Sequence, residues 1–221
     1  LQELQTLAPI AVITGRAVAD IREKLGFTPD YLIGNHGQEG TPGMEAHAAA
    51  HAALCREWKA ALEPMLSDDS RFDPNIWIED KTYSLSLHYR LARDQHAAEA
   101  RLRDVLETLQ PAARLVAGKC VFNVLPQDAM DKGHALQALI QASGARRALY
   151  LGDDVTDEDV FRLAHPDILG IRIGPSEETA ARYYLNRRLD IVLLLDRLLR
   201  GLREADARNW IAACVGGQEA R

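Results

Sequence analysis

The sequence predicts an α/β protein whose parallel-sheet core is interrupted by a separate α+β module. Three observations carry this. Short β-branched apolar runs alternate with helical spacing near the start, as in "IAVITGR" (10–16), "AVADIREKLG" (17–26) and "YLIGNHGQEG" (31–40), which is the strand–helix–strand unit of a parallel sheet. The same alternation returns after residue 125. Between the two lies a stretch of different character.

In that stretch, "MEAHAAAHAALCREWKAALEPM" (44–65) is an Ala-rich amphipathic helix and "DQHAAEARLRDVLETL" (94–109) a second one. "IWIEDKTYSLSLHYR" (76–90) alternates in places, as half-exposed antiparallel strands do. "ARLVAGKCVFNVLP" (113–126) places a Gly-Lys turn between two strand-like runs. Two helices and roughly four strands predict an inserted module over residues 42–124, with core on either side at 1–41 and 125–221. In the second core part, "DKGHALQALIQASG" is a helix, "RRALYLGDD" a strand, "TDEDVFRLAH" a helix, "ILGIRIG" a strand and "IVLLLDRLLRGL" a closing helix. The final stretch from residue 201 reads as peripheral helix and frayed tail.

The chain has 221 residues, enough for one domain and a smaller second one, with 47% hydrophobic and 26% charged residues and a net charge of -6. No Lys/Arg stripe is present, which argues against nucleic acid as a partner. No apolar run approaches the ~18 residues of a membrane span. Cys55, Cys120 and Cys214 are far apart and odd in number, so neither a disulfide framework nor a zinc spacing results, and a reducing cytoplasm is expected. The chain opens on Leu1, and "LQELQTL" has the spacing of the last two turns of a helix; residues upstream are expected.

Ligands of a parallel sheet bind beyond the carboxyl ends of its strands, and three motifs fall there. In "LYLGDDVTDEDVF" (149–161), five acids occupy the seven residues 153–159 directly after an apolar run. Thr156 or Asp157 can cap the next helix, and acids in its first turn favour the helix dipole. Paired Asp153 and Asp154 at a strand tip repel each other, and a hard cation such as Mg²⁺ relieves that repulsion. In "ITGR", Thr14 ends a strand before Gly15 and a helix start, a place that holds phosphate or is merely an N-cap. In "MDKGHAL", Lys132 opposes the helix dipole and Gly133 is a poor helix former, a local cost without a local gain. Carboxylates, a hydroxyl and a lysine together are equipment for phosphoryl transfer. His47 and His51 in "HAAAH" share a helix face and could ligate zinc; the sequence shows no third ligand, so a solvated face is the expectation.

"ITGR", "DKG" and "GDDVTDEDVF", in this order with an insert after the first, resemble the haloacid dehalogenase superfamily of phosphatases. "GNHGQEG", "IEDKTYSLSLHYR", "AGKCVFNVLP" and "YLGDDVTDEDVF" narrow the resemblance to the trehalose-6-phosphate phosphatase family, over residues 1–199. The resemblance implies a Rossmann-like core with an α+β cap, and Mg²⁺-dependent hydrolysis of a sugar phosphate, trehalose 6-phosphate or another such as a glucosyl- or mannosyl-glycerate phosphate, with a trehalose-phosphate synthase as a partner. It implies that Thr14 binds the phosphoryl group and Lys132 neutralises it. Asp153 would hold the metal, with Asp154 and Asp157 supporting it in the inner or outer shell. Arg16, Asn35, His36 and Glu39 beside the core, and Glu79, Lys81, Arg90 and Asn123 on the cap, would read the substrate. His36 could equally brace a turn, Glu79 and Lys81 form a solvated pair, and Arg90 cap a strand end.

Two departures from the family pattern stand out. The family carries Glu where Asn123 stands. Its nucleophile is the first Asp of an Asp-x-Asp pair on the first core strand, and none occurs in the 13 residues before Thr14. The expectation is therefore a truncated chain, inactive as given; a non-catalytic binding module for a sugar phosphate is the alternative.

Overall fold

The computed structural model describes residues 1–215 except 69, 71 and 164, with backbone alone at 68 and 206–215. The chain opens with α1 (Gln2–Gln5), β1 (Ala11–Ile13), α2 (Val18–Lys24) and β2 (Tyr31–Ile33). β1 and β2 pair in parallel, Val12 opposite Leu32. α2 supplies the crossover that a parallel pair requires.

The insert follows: α3 (Glu45–Asp68), β3 (Trp77–Asp80), β4 (Leu85–His88), α4 (Gln95–Leu106), β5 (Arg114–Gly118) and β6 (Val121–Leu125). Its strands form an antiparallel sheet in the order β3-β4-β6-β5. The period-2 rule divides the sheet into two faces. Leu85, Leu87, Phe122 and Val124 lie on one face, each fully buried, against Trp58 and Leu62 of α3 and Leu102 and Leu106 of α4. The stripe Cys55, Trp58, Leu62 follows helical spacing. Burying each large side chain of this cluster contributes about 1.5–3 kcal/mol. The opposite face carries Trp77, Glu79, Ser86, His88 and Asn123, in register across the strands.

The core resumes with α5 (Lys132–Ser143), β7 (Ala148–Gly152), α6 (Glu158–Phe161), β8 (Ile168–Ile173), β9 (Tyr183–Leu185) and α7 (Asp190–Val215). β7, β8 and β9 form a second parallel sheet. Two differences from the sequence reading appear. The helix expected over 156–165 is reduced to α6, preceded by a tight 3₁₀ turn at Val155–Asp157. β9 was not expected; it is set by its parallel pairing with β8, Ile171 opposite Tyr183. The expected tail at 216–221 lies outside the described residues.

α5 is the bridge between the two parallel sheets. Asp131 caps it, accepting from His134 N–H at 2.9 Å, and Gly144 ends it in the left-handed conformation (φ 66°). Ala135 and Leu139 pack with Ile33 of β2, while Leu136 packs with Tyr150 of β7. Ile13 of β1 touches both clusters. Among the described residues β1 pairs only with β2, and β7 only with β8. The unpaired sides of both strands line one cleft of about 1300 Å³, together with Leu136, Leu139 and Ile140 of α5 and Leu195, Leu198 and Leu202 of α7.

Gly133, read above as a cost without a gain, has its reason here. A Cβ would stand 2.6 Å from the Asp159 carbonyl oxygen, so α6 can approach α5 only over a glycine. Gly201 of α7 has nothing within 4 Å of that position. Gly201→Ala is expected to stabilise the fold by about 0.5–1 kcal/mol, the helix-propensity gain. Gly133→Ala is expected to destabilise it by more than about 1 kcal/mol despite the same gain. Urea denaturation of the two variants checks the opposite signs.

Candidate active site

The site forms where the carboxyl ends of β1 and β7 meet the start of α5. Thr14, Arg16, His36, Lys132, Asp153, Asp154 and Asp157 all line the cleft there. Seven residues from four separated motifs thus converge.

Its anchor is a buried ion pair. Lys132 and Asp157 are 5% and 3% exposed, and Lys132 Nζ donates to Asp157 Oδ1 at 2.7 Å. Tyr150 Oη donates to the same oxygen at 2.7 Å, and the Asp154 backbone N–H donates to Oδ2 at 2.8 Å. Burial alone would raise the Asp157 pKa; the hydrogen bonds from Lys132 and Tyr150 outweigh it and hold the carboxyl below its ordinary value. Burial, then the bond to Asp157, pushes the Tyr150 phenol up, so it stays a donor. Gly152 makes room for this carboxylate: a Cβ there would meet the Asp157 side chain at 2.4 Å.

The acids after β7 therefore divide by role. Asp157 has both oxygens engaged within the protein. Glu158, expected to favour a helix dipole, is instead 4% exposed and tied to Arg172 (3.1 Å), Thr179 Oγ1 (2.7 Å) and the Ala180 N–H (2.8 Å). Asp154 caps the 3₁₀ turn, its Oδ1 accepting from the Val155 N–H at 2.7 Å, and Asp157 closes the box by accepting from the Asp154 N–H; Asp157 also holds the N-cap position of α6, as expected, but without a side-chain cap bond there. Asp153 is half-exposed, and Oδ2 meets Arg188 at 2.6 Å. Arg188 is itself 81% exposed, so this is a surface pair of small worth that can open.

Two loops close the other wall. Asn35 and His36 both have positive φ (48° and 58°), a costly conformation for non-glycine residues. It is held by Asn35 N–H to the Arg16 carbonyl and His36 N–H to the Thr14 carbonyl, each 2.9 Å. His36 Nδ1 is buried with no hydrogen-bond partner. Burial, then the positive charges of Lys132 and Lys81, lower the His36 pKa and favour the neutral ring. Glu39 Oε2 accepts from the Val18 N–H (2.8 Å) at the start of α2 and from Asn35 Nδ2 (2.9 Å). Arg16 pairs with Asp20 at 3.1 Å on the surface. The hydroxyl of Thr14 accepts from the Arg16 N–H at 3.2 Å.

On the insert, Glu79 Oε2 lies 2.9 Å from His88 Nε2 and 3.5 Å from Lys81 Nζ. Trp77 stacks on His88 with centroids 4.1 Å apart. Asn123 Oδ1 accepts from the Ser86 hydroxyl at 2.7 Å, and its Nδ2 faces the Val116 carbonyl at 3.4 Å. The 81–84 turn reaches toward the core: Lys81 acts on His36, and burial, then the Glu39 carboxylate, raises the Tyr83 pKa. Arg90 is not brought to this cluster. It lies beyond the other end of β4, 3.5 Å from the Lys119 carbonyl. Tyr150, His88, Trp77 and Ser86 were missed from sequence. Tyr150 carried a signal, a hydroxyl in an otherwise apolar strand before the acids; the others follow from cross-strand register.

The oxygen donors of Asp153 and Asp154 suit Mg²⁺, which takes one or two carboxylates and fills its octahedron with phosphate and water. Both oxygens of Asp157 are already engaged, by Lys132 and Tyr150 on one side and the Asp154 N–H on the other. Lys132→Met removes one half of a buried pair and is expected to cost about 3–5 kcal/mol of stability. Adding Asp157→Asn is expected to recover part of that loss, and Tyr150→Phe alone to cost about 1 kcal/mol. Chemical denaturation of the variants measures all of these.

A model of the trehalose-phosphatase family matches residues 1–188. The trehalose-phosphate phosphatase of Mycobacterium bovis (strain BCG / Pasteur) is 30% identical over 94% of this chain and 56% of its own length. That of Mycobacterium marinum is 31% identical over 84% of this chain and 50% of its own. The chain thus spans about half the length of the curated relatives it matches. Among solved structures, a trehalose-6-phosphate phosphatase related protein superposes with a TM-score of 0.61 at 21% identity, covering 91% of this chain and 86% of that one. Aspergillus fumigatus trehalose-6-phosphate phosphatase gives 0.59 at 23%, covering 91% and 83%. The sucrose-phosphatase of Synechocystis gives 0.53 at 18%, covering 88% and 91%. These structures share the fold of this chain. With nearly the whole described chain inside the family model, the protein belongs to the trehalose-phosphatase family.

Proposed function

We propose that this chain forms most of a Mg²⁺-dependent phosphatase that hydrolyses trehalose 6-phosphate to trehalose and phosphate. The observation that carries the reading is the convergence of Thr14, Lys132, Asp153 and Asp154 on one cleft mouth, in a chain of this family. Asp153 and Asp154 hold Mg²⁺, which when bound neutralises charge on the phosphoryl oxygens. The Thr14 hydroxyl donates to one of those oxygens. Lys132 spends one of its three N–H donors on Asp157 and has two left, for the phosphoryl group and the attacking carboxylate. Asp157 is a positioning residue that keeps the ammonium in place.

The attacking carboxylate is assigned to a further segment of the protein that enters the cleft as a strand between β1 and β7. The support is geometric: consecutive residues of both strands line the cleft, and apolar faces of α5 and α7 cover it. In that reading the carboxylate attacks phosphorus in line, trehalose leaves, and water cleaves the aspartyl-phosphate. Residues 42–124 act as the cap. Its polar face offers Glu79, Lys81 and the Trp77–His88 stack to sugar hydroxyls, while Asn35, His36 and Glu39 shape the junction. Arg90, at the far end of the sheet, is assigned no contact. The reading places the enzyme in the cytoplasm, downstream of a synthase that makes the phosphorylated disaccharide.

A second substrate has one observation in its favour. The Asn123 amide oxygen is already held by Ser86, so the sugar loses a contact that a carboxylate would give. Phosphate release is to be measured with Mg²⁺ on trehalose 6-phosphate and on glucosyl- and mannosyl-glycerate phosphates. Both this chain and a chain carrying the further segment are needed. Activity on trehalose 6-phosphate in the longer chain alone is expected, falling on the order of 10²–10³-fold in kcat with Asp153→Asn. Activity in the 221-residue chain would assign attack to another residue. Preference for a glycerate ester would move the substrate, and silence of both folded chains would leave a binding module.

A further inference from the structure

α3 begins where the chain leaves the core, and its first turns carry His47 and His51 one helical turn apart. The third ligand that the sequence did not show is Asp128, on the segment that returns from β6 to α5. Its Oδ2 lies 2.9 Å from His47 Nε2 and its Oδ1 3.0 Å from His51 Nε2. One donor atom from each residue lies within 4.8 Å of the others. None of the three lines the cleft described above.

The hydrogen bonds around His51 say what stands between these groups. Gln38 Nε2 donates to the Met130 carbonyl at 3.2 Å, which turns the amide oxygen toward His51 Nδ1 at 2.9 Å. Nδ1 therefore carries the hydrogen, and Nε2 presents a lone pair. That lone pair faces a carboxylate oxygen, acceptor against acceptor. A second proton on Nε2 would relieve the contact only by placing a charge on a ring that is 4% exposed. A cation relieves it without charging the ring.

We infer that His47, His51 and Asp128 bind a divalent transition metal of the zinc class. Two imidazole nitrogens and one carboxylate oxygen are a zinc donor set, with a fourth place open to water beside the half-exposed His47 and exposed Asp128. Imidazole donors also separate this site from Asp153 and Asp154, whose oxygens suit Mg²⁺. Gln38 is the outer-sphere residue that fixes the His51 tautomer. The metal would tie both crossings between core and insert, one at 38–51 and one at 126–131, and so set the angle at which the insert stands.

The test is zinc titration by calorimetry on the 221-residue chain, stripped with chelator and held in excess Mg²⁺. One Zn²⁺ per chain is expected. Gln38→Leu is expected to weaken binding about 10–100-fold, and Asp128→Asn and His47→Gln more than that. Equal binding by wild type and folded variants, or no saturable site, overturns the inference. A second readout needs no variant: ¹⁵N resonances of the wild-type imidazoles. Zinc should shift those of His47 and His51 and leave the other histidines in place. A His51 ring that is doubly protonated at neutral pH and indifferent to zinc means that a proton is the bridge, and the inference fails.

Discussion

Much of the molecule depends on one buried ion pair, Lys132 with Asp157. Taking two charges out of water costs several kcal/mol each, and only full hydrogen bonding makes that tolerable. Here Tyr150 and the Asp154 N–H complete the carboxylate, and Gly152 clears the space for it. The pair fastens the first turn of α5 to the loop after β7. Because α5 also packs on β2, the same contact fixes how the two parallel sheets stand to one another. It also fixes the run of the chain at residues 153–154, which leaves the side chain of Asp153 at the mouth of the cleft.

The insert is built on a different balance. Its sheet buries one apolar face under two helices. The polar face is organised by polar and stacking contacts instead, Glu79 with His88, Trp77 on His88 and Ser86 with Asn123. The core elements lack that apolar surplus: the clusters around α5 are small, and a cleft separates the sheets. Their geometry leans on specific polar contacts and close backbone approaches instead.

The legibility of the sequence followed the range of the interaction. Local period gave α3, α4, α5 and the strands β1, β2, β7 and β8, since each needs only its own residues. Motif chemistry gave the convergence of Thr14, Lys132 and the acids, because strand ends in a parallel sheet gather on one side. What stayed hidden depends on register and on long separations. Asp128 stands 77 residues from His51, and the Ser86–Asn123 pair spans 37. The burial of Asp157 and Glu158 was hidden too, since an acid in a first helical turn reads as a surface group until its partner is known. Gly133 shows the reverse: a residue that looked unfavourable locally is required by a neighbour 26 positions on.

The two half-paired strands facing the cleft have a further consequence, for handling the protein rather than for its chemistry. An unpaired edge of parallel sheet is a template for any extended peptide, and among the described residues β1 and β7 lack the charged guard residues, prolines and bulges that blunt natural edges. With apolar floor and roof, this cleft would accept a strand from a neighbouring molecule as readily as one from its own chain. At high concentration the 221-residue chain should therefore exchange strands and associate.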